Sequence, residues 1–427
     1  MTEPVTAPGA EPEPVSEPAP PPGCPVHPDA APLYGPRFQT DPGGVYRELR
    51  EAHGPVAPVE LAGGVPAWLV IGYRELQLVT SQPKVFGRDS SRWHLWPSIP
   101  ADWPLKPMMA PVPSLLYTEG AEHQRRSAAV TDALAAVDPY ELRKFCEDIA
   151  DRLIDAFAGR GEAELVAEYA HQLPLLALCR MFGLGEDDTP LLIRALLAML
   201  DGGADAQAGA QQLLDVMLSL VRRRRERPTV DLTSRLLEHP AGLTDEEVMR
   251  DLRVLLIAGH QTTAYWISNA LRLMLTDERF AASLSGGRRS VAQALGEALW
   301  EDTPTQIFAG RWATRDTQLG GQRIAKGDMV LLGFAGANTD PTVRQEDGRP
   351  AEGNRAHLSF SAGEHGCPFP AREAAEVIAG TAIEVLLDRL PDLRLAVTES
   401  ALVWRPSAWV RALVALPVAF TPGYVAD

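Results

Sequence analysis

The sequence is short of the residues that mark several common protein classes. Only four cysteines occur in 427 residues, at Cys24, Cys146, Cys179 and Cys367, and none forms a C-x-x-C pair. That spacing excludes a disulfide framework, points to a reducing compartment and leaves a cysteine zinc site without partners. Basic residues are also scarce: 40 Lys and Arg stand against 56 Asp and Glu, a net charge of −16. Nucleic-acid binding needs a basic surface that replaces phosphate counterions, so no nucleic-acid partner is expected. The one dense basic run, Arg222 to Arg225, reads as the solvated end of a helix, where cations suit the dipole. No apolar run reaches the roughly 18–20 residues that cross a bilayer, so no membrane association is expected. The chain opens Met-Thr-Glu-Pro without a basic or apolar leader, and no signal peptide is expected either. A cytoplasmic protein is the combined expectation.

What is present is apolar mass: 45% of the residues are hydrophobic, enough for an extensive core. Residues 1–28 are rich in Pro, Ala and Glu and bury too little to offset ordering entropy. They are expected to form a disordered tail ahead of a single domain at 29–427, with order setting in between Tyr34 and Asp41. Val45 to His53 reads as a short amphipathic helix. Val56 to Gly72 alternates in part and predicts a β-hairpin. From Phe86 to Tyr117 periodicity is lost, and Pro97, Pro100, Pro104, Pro107, Pro111 and Pro113 exclude a continuous helix. Trp93, Trp96, Trp103, Met108 and Met109 in that stretch read either as an ordered wall over a pocket or as a cluster that only packs. Helical spacing then runs from Ala121 to Leu200, breaks at Asp201-Gly202-Gly203-Ala204 and resumes from Ala210 to Glu226. Short strands are expected at Val330–Phe334, Leu393–Val397 and Ala412–Val418. The fold class is mainly α with small β-sheets.

Two stretches carry chemistry. The first is Phe360-Ser361-Ala362-Gly363-Glu364-His365-Gly366-Cys367, followed by Pro368 and a helical run from about Ala371 to Leu390. A cysteine at the mouth of a helix meets free N–H groups and the positive end of the dipole, which favour a thiolate. Gly363 and Gly366 let the backbone fold tightly around the sulfur. A sheltered thiolate is what a haem iron takes as axial ligand, although a lone cysteine is most often inert core. The second stretch lies in a long helix that starts at the capping box Thr244-Asp245-Glu246-Glu247 and runs to about Leu275. At its centre is Ala258-Gly259-His260-Gln261-Thr262-Thr263. Two small residues admit a large planar group, and the Thr262 hydroxyl can bond the Ala258 carbonyl and loosen the helix there.

Both stretches resemble signature motifs of the cytochrome P450 family. Phe360, Gly363, His365 and Cys367 match the pattern Phe-Gly-x-Gly-x-His-x-Cys-x-Gly in register, while Ser361 and Phe369 stand at its glycine positions. The helix centre resembles Ala-Gly-x-(Asp/Glu)-Thr-Thr, with Gln261 in place of the acid. Glu297-Ala298-Leu299-Trp300, with Pro304 beyond it, resembles the Glu-x-x-Arg motif. Trp300 replaces its arginine, a departure shared with an actinobacterial subgroup. In the family a further arginine ahead of the cysteine engages this glutamate, and Arg349 is the candidate partner of Glu297. Arg311 and His123 match positions that bind haem propionates. The arginine expected after His123 is Ser127, with Arg125 or Arg126 either compensating, forming a basic face for an acidic ferredoxin, or serving as plain surface charge.

The resemblance spans roughly residues 35–420 and implies the P450 fold. It implies haem b (iron protoporphyrin IX), ligated by Cys367 and bound by His123, Arg311, His365, Phe360, Gly363, Ala258 and Gly259. The implied activity inserts one oxygen atom of O2 into a small organic substrate, with Thr262 and Gln261 organising oxygen and water. Electrons would come from NAD(P)H through a ferredoxin reductase and a ferredoxin. An amide at 261 does not exchange protons as a carboxyl does. Two alternatives therefore stay open: a peroxide-using haem-thiolate enzyme, and a non-catalytic haem-binding sensor or scaffold.

Overall fold

The computed structural model describes residues 29–101, 103, 105–185, 188–201, 206–277, 291–345 and 353–423. The expected N-terminal tail, the Gly202–Ala204 break and Arg349 lie outside the described residues. Helices dominate, and the small sheets gather at the edges of the helical body.

The largest sheet is assembled from strands far apart in sequence. Ala31–Pro32 (β1), Val56–Leu61 (β2), Val65–Val70 (β3) and Phe86–Gly87 (β4) come from the N-terminal part. After Glu162–Glu164 (β5), the chain returns with Phe308–Ala313 (β6), Thr317–Leu319 (β7), Gln322–Ile324 (β8) and Met329–Leu332 (β9). The order is β1-β2-β3-β9-β6-β4. The expected hairpin is β2/β3, antiparallel with Val59 opposite Ala67, closing through Gly63 and Gly64 at positive φ. Strand β9 lies between β3 and β6, and all four of its residues are buried. That is why it reads as an unbroken apolar run rather than an alternating one. Strand β6 was not foreseen. It carries a register shift between Phe308 and Arg311, and such bulges re-aim side chains.

Trp93 and Trp103 are buried in the core of this sheet with Leu61, Val65 and Leu331. Trp93 meets Trp96 edge-on at 5.1 Å, and the Trp103 indole donates to the Ala62 carbonyl at 2.7 Å. Of the two readings of this aromatic stretch, packing is the one these contacts satisfy. A second small sheet joins β5 to Pro417–Ala419 (β11), which also pairs with Arg394–Leu395 (β10). The C-terminal strands are shorter than expected, because the neighbouring segments bond in isolated bridges and turns.

The helical body is arranged around Asp245–Thr276, the central helix. Thr244 and Glu247 make both capping-box bonds at its start, Thr244 N to Glu247 Oε2 at 2.8 Å and Glu247 N to Thr244 Oγ at 3.2 Å. It packs against Gln172–Phe182, Ala206–Glu226, Val291–Glu301 and Phe369–Arg389. The arginine run does close a helix with Arg222 and Arg225 exposed, and three of its members are also paired. Arg223 pairs with Asp188, Arg224 with Asp231 and the Gly183 carbonyl, and Arg225 with Asp245 and the Leu237 carbonyl. These cations tie neighbouring helices together.

Candidate haem site

The cysteine loop closes on itself before its helix begins. Ser361 N donates to Leu358 O at 2.8 Å, Gly366 N to Gly363 O at 3.0 Å and Cys367 N to Phe360 O at 2.9 Å. Gly363 has φ +72°, and a Cβ there would stand 2.1 Å from the Thr80 carbonyl oxygen, so the position admits no side chain. Ser361 has φ +60°, the left-handed region, at one of the places where the resemblance leads one to expect glycine. Pro368 caps Phe369–Arg389, and Phe369 is exposed as the first residue of that helix. Arg372, one turn in, donates to the Cys367 carbonyl at 2.8 Å and lies over the Phe360 ring.

Burial pushes the Cys367 thiol up to about 11, with Arg372 pulling the other way. A metal cation would reverse this balance, because coordination deprotonates a thiol.

Phe360 connects the loop to the central helix: its ring meets Trp266 edge-on at 5.8 Å. Trp266 is one turn beyond Thr262. From Thr263 to Leu271 the central helix is buried at every residue, whereas Gly259, Gln261 and Thr262 are half-buried and Ala258 is exposed despite its central place. The Thr262 hydroxyl bonds the Ala258 carbonyl as expected. A Cβ at Gly259 would meet Leu178 at 3.3 Å, so its small size also serves helix packing. His260 faces away from this opening, with Nε2 3.0 Å from the His171 carbonyl.

A polar cluster surrounds the loop. The His123 and His365 rings lie 4.0 Å apart between centroids. The two ring nitrogens of His123 face the carbonyls of Leu115 and Glu364, at 3.3 and 2.9 Å, so this histidine holds the cysteine loop. Arg311 is buried with Nε and one terminal nitrogen lacking any hydrogen-bond partner, one nitrogen of Arg88 is equally unspent, and Nε2 of His365 lies 3.3 Å from Glu364 Oε1. Burial, then His123, Arg311 and Arg88, push the His365 imidazole down to about 2. Burial and then Arg88 hold Arg311 well below its usual value, with Glu119 and Glu364 opposing. Buried, unpartnered cationic nitrogens call for an anion, and the two propionates of a haem fit that demand.

Arg125 and Arg126 take neither of the two special roles offered for them. Arg126 is buried in a two-point pair with Asp251 of the central helix, with Nε to Oδ2 at 2.8 Å. Arg125 pairs with Glu122 and Glu247. Neither is free to reach a propionate or to present unpaired charge to a partner.

Trp300 is buried, and its indole donates to the Asn354 carbonyl at 2.7 Å, linking its helix to the approach of the cysteine loop. Asn338 and Ser359 add a second link. Asn338 Nδ2 and Ser359 Oγ both reach Leu299 O, at 2.9 and 2.7 Å, and Leu358 N donates to Asn338 Oδ1 at 2.8 Å. Arg344, which sequence reasoning passed over, lies against Trp300, and so does Arg88 against the cation cluster. Both sit in aperiodic loops, where no spacing marks them.

No protein-family model matches the chain. Individual relatives do. Cytochrome P450-SU2 of Streptomyces griseolus is 30% identical over 405 residues, 93% of this chain and 95% of the relative. The mycinamicin IV hydroxylase/epoxidase of Micromonospora griseorubida is 31% identical over 389 residues, 88% and 94% of the two chains. Among solved structures, CYP154C4 from Streptomyces sp. W2061 superimposes with a TM-score of 0.82 at 27% identity, covering 92% of this chain and 98% of its own. Mainly helical, with a cysteine loop and a threonine bonded back to its own helix at Ala258, the chain belongs to the cytochrome P450 family. It is a monooxygenase of the bacterial type, and its cofactor is haem. Among the described residues, no helix is long and apolar enough to cross a membrane.

Proposed function

We propose that Cys367 is the axial ligand of haem iron and that the protein, a single haem domain over residues 29–427, oxidises a small organic substrate with O2. The observation that carries this reading is the self-closed loop that presents Cys367 at a helix start while Phe360 joins it to the Thr262 region through Trp266. Haem, when bound, supplies the electron-rich iron that cleaves the O–O bond. The chain supplies the rest. Arg311 offers unspent donors to the propionates, His365 stands beside it with Nε2 shared with Glu364, and His123 holds the loop that carries His365. Phe360, Gly363 and Ala258 shape the faces on either side, and Gly259 keeps the helix close to Leu178. Thr262 Oγ and the Gln261 amide hold oxygen-side water, with the exchangeable proton on Thr262. Glu297 steadies the loop with Arg349, and Trp300 replaces one arm of that arrangement.

Electrons reach the site from NAD(P)H through a ferredoxin reductase and a ferredoxin, because the sequence has no flavin or iron–sulfur motif of its own. The buried free thiols Cys146 and Cys179 suit the cytoplasm, where such carriers operate. Gln261 favours a second reading, in which peroxide supplies oxygen and electrons together and the missing acid is bypassed. Product formation with ferredoxin and O2, compared with peroxide alone, separates the two.

The ligand assignment is tested by Cys367→Ala. Reduced protein under carbon monoxide is expected to show the red-shifted absorption band of thiolate-ligated haem, and the variant is expected to lose it. Persistence of the band in Cys367→Ala would overturn the assignment.

A further inference from the structure

Ser127 leaves the haem-facing helix without the arginine that the resemblance leads one to expect, and Arg125 and Arg126 are committed elsewhere. Yet a second buried guanidinium lies beside Arg311. Arg88 follows β4 directly and is 1% exposed. Its Nε donates to the Leu116 carbonyl at 2.9 Å, and one terminal nitrogen donates to the Gly310 carbonyl at 2.6 Å. The guanidinium is also set against two rings, 5.4 Å from the centroid of Tyr117 and 5.0 Å from that of Phe308. These four contacts fix its plane. The other terminal nitrogen is buried and has no partner.

We propose that Arg88 binds a haem propionate through this unspent nitrogen and supplies, from the loop after β4, the positive charge that is missing at Ser127. A guanidinium kept only as a structural strap would be neutralised by a carboxylate, since a buried unpaired charge costs several kcal/mol. The nearest acid does not do this. Glu119 spends its carboxylate on the backbone N–H groups of Arg88 and Asp89 and on the side chain of Arg92. Arg311 is the residue that shares the Arg88 environment. Its carbonyl neighbour Gly310 accepts the Arg88 bond, and its own Nε and one terminal nitrogen are also unspent. Two rigidly held cations, with Glu119 and Glu364 near but no carboxylate bonded to their unspent nitrogens, make a site for a dicarboxylate, and the bidentate fork of arginine suits each carboxylate.

The proposal rests on the haem assignment, and its test keeps the two apart. Resonance Raman spectroscopy of the holoprotein reports hydrogen bonding to the propionates through their bending modes. Arg88→Met fills similar volume without a donor, and it is expected to shift one propionate mode and to speed haem transfer to apomyoglobin roughly 10-fold or more, the scale of a hydrogen bond to a charged group. Arg88→Lys, which keeps the charge but not the fork, is expected to shift the same mode and is the variant to read if Arg88→Met yields no holoprotein. The carbon monoxide band stays in place throughout, because Cys367 is untouched. Unmoved propionate modes in whichever variant is read would overturn the proposal and leave the haem assignment standing.

Discussion

Arg344 lies over the ring of Trp300, its guanidinium carbon 5.3 Å from the centroid, and its fork reaches three other groups. One nitrogen donates to the Trp300 carbonyl at 3.1 Å, Nε to the Asn338 carbonyl at 2.6 Å, and another to Glu301 at 2.5 Å. A cation is thus present at the end of this helix, delivered from beyond the turn Pro341–Val343 rather than from position 300. Carbonyls at a helix C-terminus welcome such a charge, and the indole face adds a cation–π contact.

The first prediction follows from that pair. Trp300→Arg removes a buried indole, a loss on the order of 3–5 kcal/mol for such side chains, and sets a second guanidinium beside Arg344. Melting temperature and haem content are both expected to fall. A rise in both would show that the site retains the shape for an arginine at 300.

Ser361 sits in the left-handed region, at a cost of about 1–2 kcal/mol for a residue with a Cβ, and its buried hydroxyl has no partner. Ser361→Gly removes both burdens, while the freer unfolded chain takes back about 0.4–1 kcal/mol. A net gain of about 0.5–1 kcal/mol is expected, read as a higher urea midpoint for the holoprotein. A lower midpoint would mean that the serine hydroxyl makes a contact worth more than the strain.

Gln261→Glu restores a proton-exchanging group beside Thr262. General acid–base groups contribute roughly 10²–10⁴-fold where they act, so product formed per NAD(P)H consumed is expected to rise. An unchanged ratio would place proton delivery elsewhere, and a loss of peroxide-driven turnover alongside it would favour the peroxide reading.

Glu247 joins the capping box to Arg125. Burial alone would raise its carboxyl, but bonds from Arg125 and the Thr244 N–H outweigh burial and hold it down to about 2. A depressed folded value means that the stabilisation is complete above the ordinary value of 4.5 and is lost as pH falls from there toward about 2. Glu247→Gln keeps the cap geometry but not the ion pair. Denaturation midpoints of the two proteins are expected to differ by a constant amount above pH 4.5, about 1 kcal/mol for so exposed a pair, and to converge on acidification. A gap that stays constant into acid would remove Glu247 from the titration.

The fold class was legible in the sequence because helix periodicity, the Thr244 cap and the β2/β3 hairpin are local signals, each written within one or two turns of chain. The cysteine loop was legible for a similar reason: Phe360, Gly363, His365 and Cys367 stand within a single short stretch, and steric demands such as those on Gly363 leave a mark at one position. What tertiary structure alone decided is where the charges go. Nothing local distinguishes Arg126, which is buried against Asp251, from Arg125 beside it, which pairs with Glu247 at the surface. Arg344 and Arg88 come from loops, reach their places across long sequence distances, and act through flexible side chains that impose no periodicity. Burial likewise pushes the Cys367 thiol up, since desolvation depends on the neighbours that folding brings and not on the residues beside it in the chain.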